Sequence, residues 1–196
     1  MLNSDKIDLE KLNFLVLDNN VCSLELMFQV LFGFGARNIT RCSSTAEAKD
    51  IVKDKLIDFI ITDDVMADES GYEFLRWLRR DVTAKIRFTP AIIVTGHTRR
   101  KHVEQARDCG AHFVISKPLR ANILLERIFW VAKDKRMFID CEVYAGPDRR
   151  FNFDGLPVGK AGRRGEDLSP EVGESTDLNR NQDELDGMLN VWEMAS

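Results

Sequence analysis

Residues 57–63 read IDFIITD and are followed at once by a second aspartate, Asp64. A short run this apolar, rich in β-branched isoleucine, suits a strand covered on both faces, where no polar alternation is needed. Four other stretches are strand-like, residues 13–18 (NFLVLD), 38–42, 91–95 (AIIVT) and 112–116, and three of the five are nearly continuous apolar runs. Several end on a polar side chain, which places those side chains where the chain leaves the sheet.

Helix-length amphipathic segments fill the gaps between these runs. Leu24, Met27, Phe28 and Leu31 recur at helical spacing, and Gly33 and Gly35 follow as stop signals. Ser44 and Thr45 with Glu47 open a second helix, and Tyr72, Leu75, Trp77 and Leu78 mark a third. A polar fourth lies near residues 99–109, and a fifth runs over about 119–135 with Ile123, Leu124, Ile128 and Val131 inward. Five strand–helix units in sequence require parallel pairing, because each connection is a crossover. The expected fold is α/β: a doubly wound, five-stranded parallel sheet over residues 13–135, after a short N-terminal arm, 1–12. Its sites should lie at the carboxyl ends of the strands.

The chain has 196 residues, 44 % apolar and 31 % charged, with net charge −4. That balance excludes a generic nucleic-acid coat, and no helix-turn-helix pattern follows the last unit, so DNA is not an expected partner. No apolar run reaches membrane-spanning length. The start lacks a basic segment followed by an apolar one, so a cytoplasmic location is expected. Cys22, Cys42, Cys109 and Cys141 are scattered without zinc-site or redox spacing and read as reduced thiols.

The strand ends bring chemistry together. Asp18 and Asn19 close the first strand, Asp63 the third and Thr95 the fourth, and Lys117-Pro118 follows the fifth. A carboxylate can accept a phosphoryl group as an acyl phosphate. Oxygen ligands can hold magnesium to neutralise the charge of transfer, and a lysine and a hydroxyl can hold the phosphoryl oxygens. Each residue has a plainer reading, since an aspartate at a strand end is often a turn former or a cap. Their joint occurrence is what carries the assignment.

With Met66 and Gly71 in the loop after Asp63, the set resembles the response-regulator receiver domain of the chemotaxis CheY type. The resemblance implies that Asp63 is the phospho-acceptor and that Thr95 and Lys117 bind the phosphoryl group. It also implies that Asp18, Asn19, Asp63 and the Val65 backbone carbonyl hold Mg2+, and that the lysine–proline bond is cis. A histidine kinase or phosphotransfer protein becomes the expected partner, and the protein a signal acceptor rather than a turnover enzyme.

The chain departs from the family pattern in several places. Asn19 stands where a second acid is usual, which removes one formal charge from the metal pocket. Ala67 replaces a common proline, and Val114 a common aromatic, with Phe113 one place off and so facing the other way. Val65 offers no polar group to orient a hydrolytic water, which predicts a long-lived phosphoryl state. Asp64, pointing away from Asp63, reads as a solvated neighbour, and Asp68 and Glu69 read as loop charges. His97 lies near the pocket mouth, while His102 and His112 read as surface or packing residues.

After residue 136 the periodicity stops. Seven of the 12 glycines and three of the five prolines fall within residues 146–187, so a largely disordered tail is expected. Residues 136–165 form an arginine-rich extension, with Arg149, Arg150, Lys160, Arg163 and Arg164 against Asp148 and Asp154 over 145–164. Residues 166–196 are acidic, with one arginine against nine carboxylates. Glycine or proline precedes an arginine pair twice, fourteen residues apart. Paired guanidinium groups suit a flat, doubly anionic ligand, by stacking on purines and pairing with phosphodiesters.

The layout resembles CheY-like effectors of alphaproteobacteria that bind cyclic di-GMP. That resemblance implies nucleotide contacts from Tyr144, Asp148, Arg149, Arg150, Arg163 and Arg164. The alternative is a basic linker. Further on, Leu185, Met188, Leu189 and Trp192 form one apolar stripe, similar to the flagellar-switch peptide that docks on such receivers. It implies a flagellar-switch or second-receiver partner and a role in motility. Two rival readings stand beside the leading one: a pseudo-receiver that binds proteins without phosphorylation, and a phosphorelay shuttle with an inert tail.

Overall fold

The computed structural model describes residues 8–80 and 86–149. Strands β1 (Asn13–Leu17), β2 (Asn38–Cys42), β3 (Phe59–Asp63), β4 (Ala91–Thr95) and β5 (Phe113–Ser116) alternate with five helices. These are α1 (Val21–Gly33), α2 (Thr45–Asp54), α3 (Gly71–Arg80), α4 (Arg100–Asp108) and α5 (Ala121–Ala132). The strands pair in parallel in the order β2-β1-β3-β4-β5. The chain thus winds first to one side of β1 and then to the other, which opens a crevice at the carboxyl ends of β1 and β3. No helix among the described residues is long and apolar enough to cross a membrane.

Alternation along the strands divides the core into two layers. Phe14, Val16, Phe59, Ile61, Ile92, Val94, Phe113 and Ile115 pack against Leu24, Met27 and Leu31 of α1 and Leu124, Ile128 and Val131 of α5. Leu15, Leu17, Ile60, Ile93 and Val114 pack against α2, α3 and α4 through Val52, Phe74, Leu75, Leu78 and Val103. Phe113 and Val114 therefore lie in opposite layers, as the strand period requires, and the Phe113 ring meets Trp130 at 5.3 Å.

Local signals set the helix starts. Asn20 accepts from the amides of Cys22 and Ser23 at the head of α1, and Ser44 from that of Glu47 at the head of α2. Gly35, at φ 99°, turns the chain after α1 in a conformation that only glycine adopts without strain. Asp68 is not the free loop charge expected. It accepts from the Thr45 hydroxyl at 2.9 Å, the Thr45 amide at 3.2 Å and the Ala46 amide at 3.1 Å, capping α2 from a distant loop. Burial works against its charge, but these donors hold its carboxyl well below the ordinary range. Glu69 likewise pairs with Lys49. In the N-terminal arm, residues Leu9–Lys11 form a 3-10 turn with Leu9 buried.

The expected loss of structure after residue 136 does not hold for residues 138–147. Strands β6 (Phe138–Cys141) and β7 (Tyr144–Pro147) form an antiparallel hairpin. It packs on the side of α3 and on the turns that precede β4 and β5, at the pole of the sheet opposite Asp63. Every residue of β7 is buried. Phe138 meets Phe88 edge-on at 4.6 Å, Arg87 pairs with Asp140 at 2.7 Å, and Arg80 donates to the Glu142 carbonyl at 2.6 Å.

Under the hairpin lies Arg79, 1 % exposed, whose guanidinium donates to the carbonyls of Gly110, Arg87 and Thr89. Burial lowers its pKa to about 10, so it stays charged and ties three loops together. The backbones of Gly110 and Gly146 touch: a Cβ on Gly146 would stand 2.6 Å from Gly110 Cα, and one on Gly110 would stand 2.4 Å from the Ala145 carbonyl.

Candidate functional site

Asp18 follows β1, Asp63 ends β3, Thr95 ends β4, and Lys117 follows β5, so parallel pairing alone brings all four to one edge. Asp18 and Asp63 are nearly buried, at 7 % and 8 % exposure. Both reach the same ammonium: Lys117 Nζ lies 2.9 Å from Asp63 Oδ2 and 3.2 Å from Asp18 Oδ2. The second oxygens are held by the backbone. The Asn20 amide donates to Asp18 Oδ1 at 2.8 Å and the Asp64 amide to Asp63 Oδ1 at 3.0 Å. The peptide bond before Pro118 is cis, as the family pattern implies.

Burial pushes the Asp63 carboxyl up to about 6, with Lys117 pulling it down and Asp18 pushing it further up. Burial alone would lower the Lys117 pKa, but the carboxylates of Asp63 and Asp18 outweigh it and raise it. One ammonium thus serves two carboxylates in a partly dry cleft, an arrangement short of positive charge. Thr95 is buried at 1 %, and its Oγ1 accepts from the His97 amide at 2.8 Å.

The donor chemistry fits a hard divalent cation. Two carboxylates converge in a cleft that one lysine leaves under-neutralised, and oxygen ligands are what magnesium takes. Among the described residues no group of three or more His, Cys, Asp and Glu side chains gathers to hold a metal, so Asn19 would supply an amide oxygen where a third acid would otherwise stand. Asn19 is exposed beside Asp18, and Val65, 50 % exposed, sits in the loop two residues after Asp63.

Gly71, in the first turn of α3, is required by close approach. A Cβ there would stand 1.9 Å from the Asp63 carbonyl, and the Gly71 amide donates to the Asp64 carbonyl at 3.1 Å. Met66 is buried in the layer under α2, α3 and α4.

Asp64 is not solvated. It faces away from the Asp63 side chain, as alternation requires, but into a buried corner where it is 3 % exposed. Its Oδ2 accepts from the Tyr72 hydroxyl at 3.3 Å and lies 3.3 Å from His97 Nδ1. A second acid after a strand-ending aspartate, with a tyrosine at the second position of the next helix, was the available signal. His112 is a packing residue: its Nδ1 accepts from the Ala91 amide at 3.2 Å, and burial keeps its ring neutral.

The residues assigned to a nucleotide are differently placed. Tyr144 is 4 % exposed, with its hydroxyl donating to the Pro147 carbonyl at 2.6 Å, so it is hairpin core rather than an open stacking face. Arg149 lies over the Tyr144 ring at 3.9 Å and pairs with Asp108 at the end of α4. The Asp148 amide donates to the Met137 carbonyl at 2.7 Å. Arg150, Arg163 and Arg164 lie outside the described residues, as does the stripe of Leu185, Met188, Leu189 and Trp192.

A profile of the response regulator receiver domain matches residues 14–129. The sequence is 28 % identical over 114 residues to the polar-differentiation response regulator DivK of Brucella ovis, covering 58 % of this chain and 90 % of that one. DivK of Brucella abortus gives the same figures. Among solved structures, the chemotaxis response regulator CheY4 of Vibrio cholerae aligns with a TM-score of 0.57 at 22 % identity, over 61 % of this chain and 98 % of that one. The signal receiver domain of a histidine kinase from Syntrophus aciditrophicus gives 0.57 at 22 %, over 66 % and 98 %. At that identity the structures speak to the fold alone, and the fold agrees with the sheet order above.

Proposed function

Because this chain belongs to the response regulator receiver domain family, we propose that it is a phosphorelay receiver that takes a phosphoryl group on Asp63 from a histidine kinase or phosphotransfer protein. The observation that carries this reading is the meeting of Asp18 and Asp63 on the Lys117 ammonium, at the end of β3 and with Thr95 on the neighbouring strand. Asp63 supplies the nucleophilic oxygen. Asp18, Asn19 and the Val65 carbonyl, with Asp63, would hold Mg2+, which when bound neutralises charge on the phosphoryl oxygens. Lys117 is placed to follow those oxygens from the carboxylate it now contacts, and the Thr95 hydroxyl to donate to one of them. The protein acts as a signal acceptor, in the cytoplasm, and not as a turnover enzyme.

The test is incubation of the full chain with magnesium and a small acyl phosphate, followed by intact-mass measurement. One phosphoryl group should be gained, located at Asp63, and lost slowly. Val65 gives water no polar handle beside the acceptor, so Val65→Asn, whose amide can orient the attacking water, should shorten the phosphoryl lifetime. Absence of uptake with magnesium, together with no response to beryllium fluoride, would favour the pseudo-receiver reading that Asn19 suggests.

The doubled arginine pairs favour a second input. We propose that Arg150, Arg163 and Arg164 engage cyclic di-GMP, with Arg149 joining if it leaves Tyr144 and Asp108. Titration calorimetry on the full chain and on a variant with alanine at all four arginines decides it. Heat with the first and none with the second is expected, and equal heats, or none in either, would leave the inert-tail shuttle. A motility role through the stripe at residues 185–192 belongs to this same proposal.

A further inference from the structure

Among the described acids outside the phosphoryl machinery, Asp64 is the most deeply buried, at 3 % exposure. A buried carboxylate is unfavourable unless partnered, and its partners are therefore informative. Tyr72 reaches it from α3 and His97 from the loop before α4, both at 3.3 Å and both on Oδ2. Burial, followed by this carboxylate, raises the Tyr72 pKa, so the hydroxyl is a fixed donor.

The contacts continue in both directions. Toward the acceptor, the Asp64 amide donates to Asp63 Oδ1 at 3.0 Å. Toward α4, the His97 amide donates to Thr95 Oγ1 at 2.8 Å, and its ring lies 5.3 Å from the ring of His102 in the first turn of the helix. Asp63, Asp64, His97 and Thr95 thus form a chain of contacts across the ends of β3 and β4, anchored to α3 by one tyrosine and leading to α4 by one pair of rings.

We propose that Asp64 is a positioning residue that carries the state of Asp63 to the start of α4 through His97. The proposal rests on the reading of Asp63 as phospho-acceptor. An acyl phosphate on Asp63 adds negative charge one residue away and recruits the Thr95 hydroxyl. Asp64 is enclosed and cannot turn to water, so the added field acts on its most adjustable partner, the His97 ring, which is 54 % exposed. That ring is drawn toward Asp64. Its own amide is bonded to Thr95 Oγ1, so the hydroxyl and the ring move together, and the neighbouring His102 ring, tilted against it, registers the shift. Tyr72 holds the carboxylate on the α3 side, which directs the displacement to α4.

The experiment uses the full chain with magnesium and beryllium fluoride as the phosphoryl mimic. Fluorine resonances report whether the acceptor is loaded, and imidazole proton resonances of His97 and His102 report the coupling, with His97→Gln identifying the first. Loading should shift both rings in the parent protein. Tyr72→Phe and Asp64→Asn should load with unchanged fluorine signals while the His102 shift falls below half. Should Asp64→Asn fail to fold, Tyr72→Phe, which removes one hydroxyl, carries the test alone. An unchanged His102 shift in the loaded variants, or silent rings in the loaded parent, overturns the proposal and leaves the acceptor reading intact. Absence of bound fluoride in the parent overturns the acceptor reading and this proposal with it.

Discussion

Asp63→Asn should reduce phosphoryl uptake to assay background and, in metal-free buffer at neutral pH, make the protein more stable than its parent. The loss of uptake follows from chemistry: an amide has no carboxylate oxygen to form the acyl phosphate. The gain in stability follows from the cleft. The folded Asp63 carboxyl titrates at about 6, above its ordinary 3.8, because burial and Asp18 outweigh Lys117. A carboxyl that holds its proton more tightly when folded favours the folded state at low pH, and that advantage is lost as pH rises. The parent should therefore lose stability between about pH 4 and 6, and the asparagine variant should lose less.

Lys117 does not become an orphan in the variant, since Asp18 remains 3.2 Å away. Urea unfolding at pH 4 and at pH 7.5 checks the sign. The two proteins should be closely matched at the lower pH, with the variant ahead at the higher one. A variant weaker than its parent at pH 7.5 would mean that the Lys117 pair dominates the cleft.

Gly110→Ala should cost about 3 kcal/mol, at the upper end of overpacking and backbone penalties, and should free the hairpin to proteolysis. Two independent penalties fall on that position. Gly110 has φ 85°, where a Cβ is strained, and the added carbon would stand 2.4 Å from the Ala145 carbonyl. The hairpin cannot yield without exposing Tyr144 and Ala145, and the Arg79 side chain lies against the same glycine. Gly146→Ala should act in the same direction, because its Cβ would meet both Gly110 Cα and the Tyr144 hydroxyl. A chain ended at residue 135 should lose stability too, with no residue of the sheet altered. Urea midpoints and limited trypsin digestion distinguish these results from a hairpin that merely rests on the surface. In that case Gly110→Ala would show only its local backbone strain and no new cleavage after Arg136 or Arg149.

The strand–helix units were legible because most elements repeat one signal several times. A strand buried on both faces needs an apolar side chain at nearly every position, as in β1, β3 and β4, and α1, α3 and α5 repeat an apolar stripe over about two turns or more. Asp18, Asp63, Thr95 and Lys117 were legible for a related reason: one polar group ends each apolar run, and parallel pairing does the rest. The hairpin offered no such redundancy. Its strands are four residues each, Asp140 and Glu142 interrupt the apolar residues, and Gly146-Pro147 reads as a breaker.

In β7 it is the missing side chain of Gly146 that permits docking, and no periodicity reveals an absence. Asp64 and Asp68 were misread because local alternation tells which way a side chain points but not what waits there. Tyr72 and His97 for the first, and Thr45 for the second, arrive from other elements. Tyr144 and Arg149 were read as ligand contacts because an aromatic beside a guanidinium looks the same whether it awaits a purine or has already been filled from within.

Asp68 joins the loop that leaves Asp63 to the first turn of α2 by three hydrogen bonds. That loop and the head of that helix are consequently tied together, so that neither can shift without straining the other. Further along the helix, Lys49 and Lys53 lie over the Trp77 ring at 5.1 and 5.9 Å. A change that begins at the acceptor loop and tilts α2 should therefore alter the surroundings of an indole some distance away, with Trp77 emission as its readout.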